Sequence, residues 1–553
     1  MNMVIVGGVA AGMSAAARLR RLDEQAEIIV LERDRYVSFA NCGLPYHISG
    51  DIPDREQLLV ATPEHLRATL NLTVRTRHEV VGIDREAKQV QVLDRASGTQ
   101  YVQPYDKLLL AQGAEPIRPP TPGLEHPRIL TLRSIPDMDA VKAAADGAHS
   151  AVVIGASYIG LEVAEALRKR GLAVDLVELQ EQVIPLFDRE MTGALHEHLS
   201  EQGVTLHLGT AAAAFHDDSG RVVVELRDGT NITTDLVLLA VGVRPASGLA
   251  KAAGLALGPR GGVAVDRHLR TSDPNIYAAG DMIEVIDTIT GEPAVIALAG
   301  PANRQGRIVA DHVCGRDAAY TTTQGTAIVQ VFDMTAASTG ASEKTLRRTG
   351  RSFRKIYVHP NDHAGYYPGA VPMHIKLLFS PDDGRVLGAQ IVGTAGVDKR
   401  IDVLATAIRA GMTVFDLERL ELAYAPPYGS AKDPINMAGF VAANLMRGDV
   451  VFWYAEEYPG RAQGATVIDV RNADEYADGH LPTAVNIPLP ELRARFAEVA
   501  QLAEQGPVLL YCMVGFRSYV AYRILRQRGV EQVATLAGGM KTFIGLHGPA
   551  VAR

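Results

Sequence analysis

Two segments of the chain, about one domain apart, repeat the same pattern, and this repeat constrains the fold more than any other feature. The first reads MNMVIVGGVAAGMSAAARLRR followed by AEIIVLERD, and the second reads AVVIGASYIGLEVAEALRKRG followed by AVDLVELQE. Each has a short apolar strand, a glycine turn, an alanine-rich helix and a second strand that ends in an acid. The repeat predicts two parallel βαβ units and an internal duplication.

The glycine turns of these units are incomplete versions of the GxGxxG fingerprint. Each keeps the first and last glycine: Gly7 and Gly12 in the first turn, Gly155 and Gly160 in the second. Val9 and Ser157 stand in the middle position. In a Rossmann unit these glycines allow a tight turn and bring a pyrophosphate to the N-terminus of the following helix. Because each fingerprint alone is weak, a purely structural turn is the alternative at both places.

An acid at the end of the second strand strengthens both nucleotide-site predictions. Glu32 and Glu178 follow their glycine turns by roughly 20 residues, where a carboxylate accepts hydrogen bonds from ribose hydroxyls. Glu178 would also repel a 2'-phosphate, which favours NADH over NADPH, although a nearby Arg or Lys can reverse that preference. Two sites imply two nucleotides, and the simplest pair is a tightly held flavin and an exchangeable nicotinamide.

Composition excludes several classes of partner. The chain has 55 Lys and Arg against 63 Asp and Glu and no long basic run, which argues against nucleic-acid and anionic-membrane partners. No run of about 18 apolar residues occurs, so we expect a soluble protein that spans no membrane. With three cysteines, Cys42, Cys314 and Cys512, there is no disulfide framework, and a reducing cytoplasm is the expected compartment. We expect no metal site.

Later motifs resemble the flavin disulfide reductase family. TSDPNIYAAGD resembles the second FAD motif of that family, and LLLAQGAEP and LLAVGVRP resemble its linking turns. The resemblance covers residues 1 to about 445 and implies an FAD-binding domain (1–112 and 246–322), an NAD(P)H-binding domain (113–245) and a dimerisation domain (323–446). The FAD-binding residues it implies are Gly7, Gly12, Glu32, Arg33, Gly113, Asp281 and Ala299. The nicotinamide-binding residues are Gly155, Tyr158, Ile159, Gly160, Glu178 and Gly242.

Cys42, in SFANCGLPYH, is the candidate redox residue. Dithiol members of the family carry CxxxxC beside the flavin, whereas the position five after Cys42 is His47. One cysteine cannot close an internal disulfide, so its oxidised state must be a sulfenic acid or a mixed disulfide with a small thiol. The alternative is a buried cysteine that packs as a small hydrophobe.

The segment around Cys42 resembles the single-cysteine branch of the family. That branch contains coenzyme A disulfide reductases, persulfide reductases, NADH peroxidases and NADH oxidases. The peroxide and oxygen enzymes place a histidine acid in the first glycine loop, where this chain has Ala10. The difference argues against peroxide as the main substrate.

Two tyrosine-rich segments, HAGYYPGA and LAYAPPYGSAKDPINMAG, resemble coenzyme A disulfide reductases, in which tyrosines of the partner subunit reach the thiol site. The resemblance therefore implies a homodimer and makes Tyr367 and Tyr424 candidate catalytic residues. The alternative is that these aromatic residues pack the domain core or the dimer interface. The resemblance also implies a coenzyme A site formed by Arg18, Arg21, Ser38, Asn41, Asn303 and Arg307. Without it, the arginines read as a solvated helix face.

The last part of the chain, residues 464–553, resembles a rhodanese domain and follows a predicted linker at 447–463. Its expected active loop is Cys512, Met513, Val514, Gly515, Phe516 and Arg517. Loop amides and the following helix favour a thiolate at Cys512, as a persulfide carrier requires. Related cysteine phosphatases need arginine six residues after the cysteine, and here Arg517 lies five after, which suits sulfane sulfur. Cys314 has no such setting and is expected to be structural.

The predicted fold is therefore α/β, with two Rossmann-like domains, an α+β dimerisation domain and an α/β rhodanese domain. The predicted function is an FAD-dependent NADH reductase that acts through Cys42 on coenzyme A persulfide, polysulfide or coenzyme A disulfide, with Cys512 handling sulfane sulfur. Alternatives within the family are a coenzyme A disulfide reductase proper with a sulfur-relay module, or an NADH oxidase or peroxidase. An alternative of another class is a slow redox sensor fused to a sulfur-relay module.

Overall fold

The computed structural model describes residues 1–548, so residues 549–553 of the predicted rhodanese range lie outside the described part. Its contacts divide the chain into two compact units. The first consists of Met1–Glu181 and Gly203–Gly325, and the second of Gln182–Gln202 and the chain from Thr326 onward. Residues 182–202, expected within the nicotinamide domain, thus group with the second unit.

The first unit contains a five-stranded parallel sheet of Rossmann type. The strands lie in the spatial order Ile276–Ala278, Lys107–Leu110, Asn2–Val6, Glu27–Glu32 and Thr73–Thr76. The edge strand Ile276–Ala278 comes from far along the chain, so two separate stretches of sequence build this sheet.

A second parallel sheet in the same unit repeats this arrangement. Its strands lie in the order Val204–Leu208, Ala173–Glu178, Ser150–Ile154, Leu236–Leu239 and Ile129–Leu130. In both sheets the central strand begins the repeated segment and pairs with the strand that ends in the acid. The predicted pair of Rossmann-like units is confirmed.

Apolar strands and small-residue helices explain why these segments fold as they do. The central strands Asn2–Val6 and Ser150–Ile154 are buried along nearly their whole length, as expected in a parallel sheet covered on both faces. The helix Ala10–Leu22 packs against the helix Ala299–Val313 at close range, because a Cβ at Gly306 would collide with the carbonyl of Ala11. The helices of this unit are Ala10–Leu22, Leu44–Ser49, Pro63–Leu70, Ile135–Ala145, Tyr158–Lys169, Gly248–Ala252 and Ala299–Val313.

Shorter antiparallel sheets accompany the two Rossmann-like sheets. Their strands are His78–Asp84, Gln89–Asp94 and Gln100–Pro104 in one, and Ala212–Asp218, Arg221–Leu226 and Asn231–Thr234 in the other. The pair Ala114–Pro116 and Val243–Pro245 joins the two linking turns. A small sheet of Val263–Ala264, Ile283–Ile286 and Pro293–Ala294 completes the unit.

The second unit begins with an antiparallel sheet of five strands. Their order is Ala327–Val331, Met334–Gly340, Val386–Gly393, Met373–Phe379 and Arg354–Val358. The accompanying helices are Gly193–Glu201, Glu343–Arg348, Val397–Arg409, Val414–Leu417 and Pro434–Arg447. This is the α+β arrangement predicted from the alternating apolar runs.

A parallel sheet at the end of the chain forms the rhodanese-type fold. Its order is Phe452–Trp453, Val533–Leu536, Val508–Tyr511, Thr466–Asp469 and Val485–Asn486, with helices Ala473–Asp478, Phe496–Ala503, Phe516–Gln527 and Gly539–His547. The strand Phe452–Trp453 falls inside the predicted linker 447–463. Trp453 is fully buried and donates its indole N–H to the carbonyl of Leu510. This segment is part of the domain core rather than a linker, because its apolar residues fill that core.

A buried ion cluster explains why residues 182–202 belong to the second unit. The ammonium of Lys376, which is fully buried, lies 2.9 Å from Asp188, 2.5 Å from Glu190 and 2.8 Å from Glu343. The ammonium of Lys355 also contacts Glu343, at 2.9 Å. Against the effect of burial, the carboxylates raise the pKa of Lys376, and the two lysines lower the pKa of Glu343 to about 2. The three acids could otherwise suggest a metal site, but Lys376 supplies their cation.

Replacement of Lys376 by methionine tests this cluster. The substitution Lys376→Met leaves three buried carboxylates without their central cation, and we expect it to lower the free energy of unfolding by about 3–5 kcal/mol. Denaturant unfolding of the purified chain measures the loss. The exposed Lys432 provides the control, since Lys432→Met should have almost no effect. An equal response of both variants would contradict the structural role of the cluster.

Candidate active sites

A cleft of about 870 Å³ opens at the carboxyl ends of the first parallel sheet, the edge where such sheets bind ligands. Every predicted FAD-binding residue except Gly12 lines it: Gly7, Glu32, Arg33, Gly113, Asp281 and Ala299. The redox candidate Cys42 and the predicted coenzyme A residues Ser38, Asn41 and Asn303 line the same cleft. The fold therefore brings together residues that lie far apart in sequence.

The first glycine of each nucleotide turn is required by both conformation and space. Gly7 has φ of 106° and Gly155 has φ of 101°, values that only glycine adopts without strain. A Cβ at Gly7 would collide with the carbonyl of Ala111, and a Cβ at Gly155 would collide with the carbonyl of Ala240. Each turn thus passes directly against the end of the neighbouring strand.

The last glycine of each turn lies against the backbone carbonyl of the first: Gly12 against Gly7, and Gly160 against Gly155. A Cβ at either last glycine would collide with a backbone carbonyl. The middle position is different, because Val9 has φ of −118° and Ser157 has φ of −86°. Ser157, with ψ of −169°, has extended backbone that any L-residue adopts, which explains why no glycine is needed there. Val9, with ψ of −131°, lies outside the main allowed regions, so this explanation does not extend to it.

The strand-end acids tie each turn to its sheet. Each carboxylate oxygen accepts one backbone N–H, at 2.8 or 2.9 Å: Gly8 and Asp34 donate to Glu32, and Ala156 and Gln180 donate to Glu178. A carboxylate oxygen accepts two hydrogen bonds, so each retains capacity for a ribose hydroxyl. Burial raises the pKa of Glu32, while its backbone donors oppose that shift.

The remaining predicted nicotinamide residues lie on the second Rossmann-like unit. Tyr158 and Ile159 begin the helix Tyr158–Lys169, and the side chain of Ile159 is exposed. Gly242 follows the strand Leu236–Leu239 with φ of 105°. These residues thus belong to the carboxyl edge of the second sheet, where nucleotides bind in such folds.

Cys42 lies in a short 3-10 turn, Asn41–Gly43, immediately before the helix Leu44–Ser49. The preceding loop is pinned by backbone hydrogen bonds from Ala40 to Leu58 and from Val60 to Ser38. Cys42 is exposed and lines the cleft, so packing as a small hydrophobe does not account for it. A soluble thiol compound can therefore reach its sulfur atom.

The charges around Cys42 favour the neutral thiol. Partial burial raises its pKa, and the carboxylates of Glu162 and Asp281 raise it further. The Tyr46 hydroxyl donates a hydrogen bond of 3.3 Å to Glu162. Burial raises the pKa of Glu162 to about 7, so its charge changes close to neutral pH.

His47 occupies the position at which dithiol enzymes carry their second cysteine. Its ring is buried, its Nδ1 lies 2.7 Å from the Ile52 carbonyl, and its Nε2 lies 2.9 Å from the ammonium of Lys142. Since Lys142 can only donate, Nε2 accepts and Nδ1 carries the ring proton. The ring fastens the helix after Cys42 and offers no second sulfur.

The three arginines predicted to bind coenzyme A, Arg18, Arg21 and Arg307, do not line the cleft, unlike the other residues predicted for that site. Arg18 donates two hydrogen bonds, of 3.0 and 2.7 Å, to Asp311, and Arg307 lies 3.9 Å from the same carboxylate. Arg21 is exposed. Arg18 is thus paired with Asp311, whereas the sequence read without the family resemblance suggested a solvated arginine.

The four tyrosines of the two tyrosine-rich segments, Tyr366, Tyr367, Tyr424 and Tyr428, are exposed, so they do not pack the domain core. Exposed fractions range from 42% for Tyr367 to 77% for Tyr366. The hydroxyls of Tyr366 and Tyr424 lie 2.7 Å apart, and the ring of Tyr367 meets the ring of His363 edge-on. Of the two predicted catalytic tyrosines, Tyr367 and Tyr424, the second thus has Tyr366 as its hydrogen-bond partner.

The rhodanese loop surrounds the sulfur atom of Cys512 with donors. The backbone N–H groups of Gly515 and Ser518 donate to Sγ at 3.2 and 3.4 Å, and the Cys512 thiol in turn donates to the Ser518 hydroxyl at 3.5 Å. This is the cradle predicted from the strand, loop and helix pattern. Cys512 is fully buried, which the sequence did not indicate.

Comparisons with known proteins match these parts in order. Residues 1–306 match the family described as pyridine nucleotide-disulphide oxidoreductase, and residues 326–433 match its dimerisation domain. Residues 455–545 match the rhodanese-like domain. The chain belongs to the pyridine nucleotide-disulphide oxidoreductase family.

Individual relatives of this oxidoreductase cover most or all of it. Coenzyme A disulfide reductase from Staphylococcus haemolyticus is 36% identical over 447 residues, which is 80% of this chain and the whole of that protein. The crystal structure of reduced Bacillus anthracis CoADR-RHD superposes with a TM-score of 0.96, 46% identity and coverage of 99% of this chain and 98% of that one. The structure of an NAD-dependent persulfide reductase from A. fulgidus superposes with a TM-score of 0.93 and 37% identity, over 98% of this chain and 100% of that one.

Family membership confirms the redox assignment and two cofactor classes. The oxidoreductase uses a flavin and a nicotinamide nucleotide, as the two predicted nucleotide sites required. The predicted resemblance to the single-cysteine branch and to a rhodanese domain is likewise confirmed. Among residues 1–548, no helix is both long and apolar enough to cross a bilayer.

Two charged residues near the cleft were missed by sequence reasoning. Arg133 lines the cleft and donates to the carbonyl of Gln112 at 3.1 Å. Glu162 lies inside the apolar helix segment YIGLEVAEAL, and an acid in such a setting was a usable signal. Arg133 carried no comparable signal, since its segment reads as an ordinary turn.

Replacement of Glu162 by glutamine tests the electrostatics of Cys42 in this oxidoreductase. Above pH 7 the Glu162 carboxylate is charged and opposes the thiolate, so Glu162→Gln should lower the pKa of Cys42. The pH dependence of iodoacetamide labelling of the reduced holoenzyme, quantified on the Cys42 peptide, measures the shift. Glu86→Gln, at an exposed turn, is the control. An unchanged labelling midpoint in Glu162→Gln would contradict the assignment.

Proposed function

We propose that this chain is an FAD-dependent, NADH-consuming reductase of persulfides and disulfides carried on coenzyme A or a similar small thiol. The observation that carries the proposal is the exposed, single Cys42 in the ligand cleft, with His47 held in the place of a second cysteine. An enzyme built this way must take its second sulfur from the substrate.

The residues of the cleft suit FAD. The Gly7 turn leaves room for a pyrophosphate, Glu32 is placed for an adenosine ribose, and Arg133 and Arg33 supply positive charge. Asp281, at the other motif, lines the same cleft and suits a ribityl hydroxyl. A bound FAD would supply the redox chemistry here, as an acceptor of hydride from NADH and a donor of electrons to sulfur.

Glu178 supports NADH as the preferred nucleotide. Its carboxylate is fixed by the amides of Ala156 and Gln180 at the strand end, where a 2'-phosphate of NADPH would meet a negative charge. The relative from A. fulgidus is described as NAD-dependent. Nicotinamide recognition then rests on Tyr158, Gly155 and Gly242.

The residues of this chain have distinct roles in the sulfur chemistry. The Cys42 thiolate attacks the sulfur of RS–SH or RS–SR, so the substrate S–S bond breaks, a bond to Cys42 forms, and the departing thiolate takes a proton. The overall persulfide reaction is NADH + H⁺ + RSSH → NAD⁺ + RSH + H₂S. Glu162, linked to Tyr46, lies where its carboxylate can exchange protons near Cys42.

Coenzyme A is the proposed thiol carrier. Ser38, Asn41 and Asn303 line the cleft with Cys42 and offer polar groups to a pantetheine arm. The exposed Arg21 is available to the phosphates, whereas Arg18 and Arg307 share Asp311 and would act there only after partial release from it. The phosphate end of coenzyme A is therefore assigned mainly to Arg21.

A homodimer is proposed because exposed tyrosines need a partner surface. Tyr366, Tyr367 and Tyr424 present hydroxyls at the surface of the dimerisation domain. In the proposed dimer, Tyr367 and Tyr424 of one subunit donate a proton or hydrogen bond to the thiolate leaving Cys42 of the other. The Tyr366 hydroxyl then orients that of Tyr424.

The fused rhodanese-like domain favours persulfide over disulfide as the substrate. Cys512 lies among amide donors that suit a persulfide anion, and disulfide reduction has no use for such a residue. A coenzyme A disulfide reductase proper remains the second candidate, since the curated relatives carry that name. Ala10, which lines the cleft without an acid or base, counts against an NADH peroxidase.

Steady-state NADH oxidation decides between the two substrates. We expect a higher kcat/KM with coenzyme A persulfide than with coenzyme A disulfide, because only the persulfide uses both halves of the chain. A rate at least about tenfold higher with the disulfide would reverse the order. Absence of turnover with either substrate would overturn the proposed function.

Serine substitutions separate the two cysteines. Cys42→Ser should leave NADH able to bleach the flavin absorbance but lower turnover by at least about a thousandfold, because the nucleophile is lost. Cys512→Ser should spare coenzyme A disulfide reduction and impair sulfur transfer. Cys314→Ser is the matched control and should change neither activity. Equal loss of both activities in Cys512→Ser would contradict the division of labour.

A further inference from the structure

The cationic residue of the rhodanese loop is neutralised by an acid from another helix. Arg517 donates two hydrogen bonds to Glu475, Nη1 to Oε2 at 2.5 Å and Nη2 to Oε1 at 2.6 Å. Such a bidentate pair fixes the guanidinium in orientation as well as in charge. The charge of Arg517 is therefore paired mainly with Glu475, although the guanidinium also lies close enough to Cys512 to interact with its side chain.

Glu475 is itself held in place by the helix on which it lies. It is the third residue of the helix Ala473–Asp478 and accepts the backbone N–H of Asn472 at 3.2 Å, as the acid of a capping box. Arg517 lowers the pKa of Glu475 to about 2, so the carboxylate is charged at every pH near neutrality. The pair is thus a permanent feature of the loop.

The exposed surface of the same loop is apolar. Phe516 has 69% of its surface exposed and Val514 has 38%, whereas Cys512 is fully buried. Val514 and Phe516 lie two and four residues after Cys512, so they are the exposed apolar side chains of its own loop. The apolar arm of an organic donor is stabilised by contact with Phe516 and Val514, because the contact removes apolar surface from water. A small dianion is not stabilised there, because the same contact would remove water from its charges.

We infer that this loop takes sulfane sulfur from an organic persulfide and rejects inorganic dianions such as thiosulfate. Glu475 sets this specificity by neutralising Arg517, and Phe516 and Val514 contact the uncharged arm of the organic donor. The inference deepens the proposed function and rests on it, because it names the donor class of the fused domain.

The transfer step needs no external oxidant or reductant. The Cys512 thiolate attacks the outer sulfur of RS–SH, the donor S–S bond breaks, and Cys512 becomes a persulfide while RS⁻ leaves and takes a proton. With thiosulfate the same attack would release sulfite, and the dianion would have to approach the Glu475 carboxylate. That approach is repulsive once Arg517 is already paired.

The test measures persulfide formation on Cys512 in the full-length holoenzyme without NADH. The donors are thiosulfate and N-acetylcysteamine persulfide, and the mass gain of one sulfur atom on the Cys512 peptide gives the rate for each. We expect the organic persulfide to react faster. Because NADH is absent, a failure of the proposed reductase function would show in the NADH assay and leave this comparison intact.

Three variants locate the specificity. Glu475→Gln frees the charge of Arg517 and should raise the thiosulfate rate about tenfold, while the organic rate changes little. Phe516→Ser should lower only the organic rate. Glu498→Gln removes the exposed pair with Arg495 in the same domain and should change neither rate.

The ratio of the organic-persulfide rate to the thiosulfate rate distinguishes a change in specificity from misfolding, since a misfolded loop loses both activities together. A parent chain that reacts as fast with thiosulfate as with the organic persulfide would overturn the inference. So would a Glu475→Gln variant that keeps the organic rate with an unchanged ratio, and so would a Phe516→Ser variant that keeps both rates of the parent chain.

Discussion

Each nucleotide-binding unit depends on one close contact, in which a glycine without a side chain meets the carbonyl of the adjacent strand. At Gly7 this partner is Ala111, and at Gly155 it is Ala240. The contact lets the turn lie flat across the carboxyl edge of the sheet, and the strand-end acid then anchors it. The cleft that holds Cys42 exists because this turn leaves space beside the strand ends.

The surroundings of Cys42 combine access with restraint. The cleft leaves its sulfur open to small thiols, while burial and two carboxylates keep the pKa of the thiol raised. A thiolate therefore needs a compensating positive charge or a hydrogen-bond donor from bound ligands, which couples the reactivity of Cys42 to ligand binding. His47, fixed by Lys142, rules out an internal disulfide at the position five residues later.

Charge compensation over long sequence distances recurs in both units. Asp311 holds Arg18, Glu475 holds Arg517, and three acids hold Lys376. In the first two cases a basic residue that looks free in the sequence is already paired in the fold. The consequences differ: Arg18 is less available to phosphate, whereas the pairing of Arg517 makes the loop selective.

The sequence by itself determined the duplicated βαβ units, the order of the fold types along the chain, and the two cysteines with their loops. These features are local, since a turn, a strand end or a loop cradle is specified by residues close together in the chain. Sequence alone did not place Trp453 in the rhodanese-type core, because a strand of two residues has no detectable pattern. Nor did it pair Tyr366 with Tyr424 or Glu475 with Arg517. Only the tertiary structure decided which charges meet, because an ion pair depends on distance in space, and the chain brings those partners together only on folding.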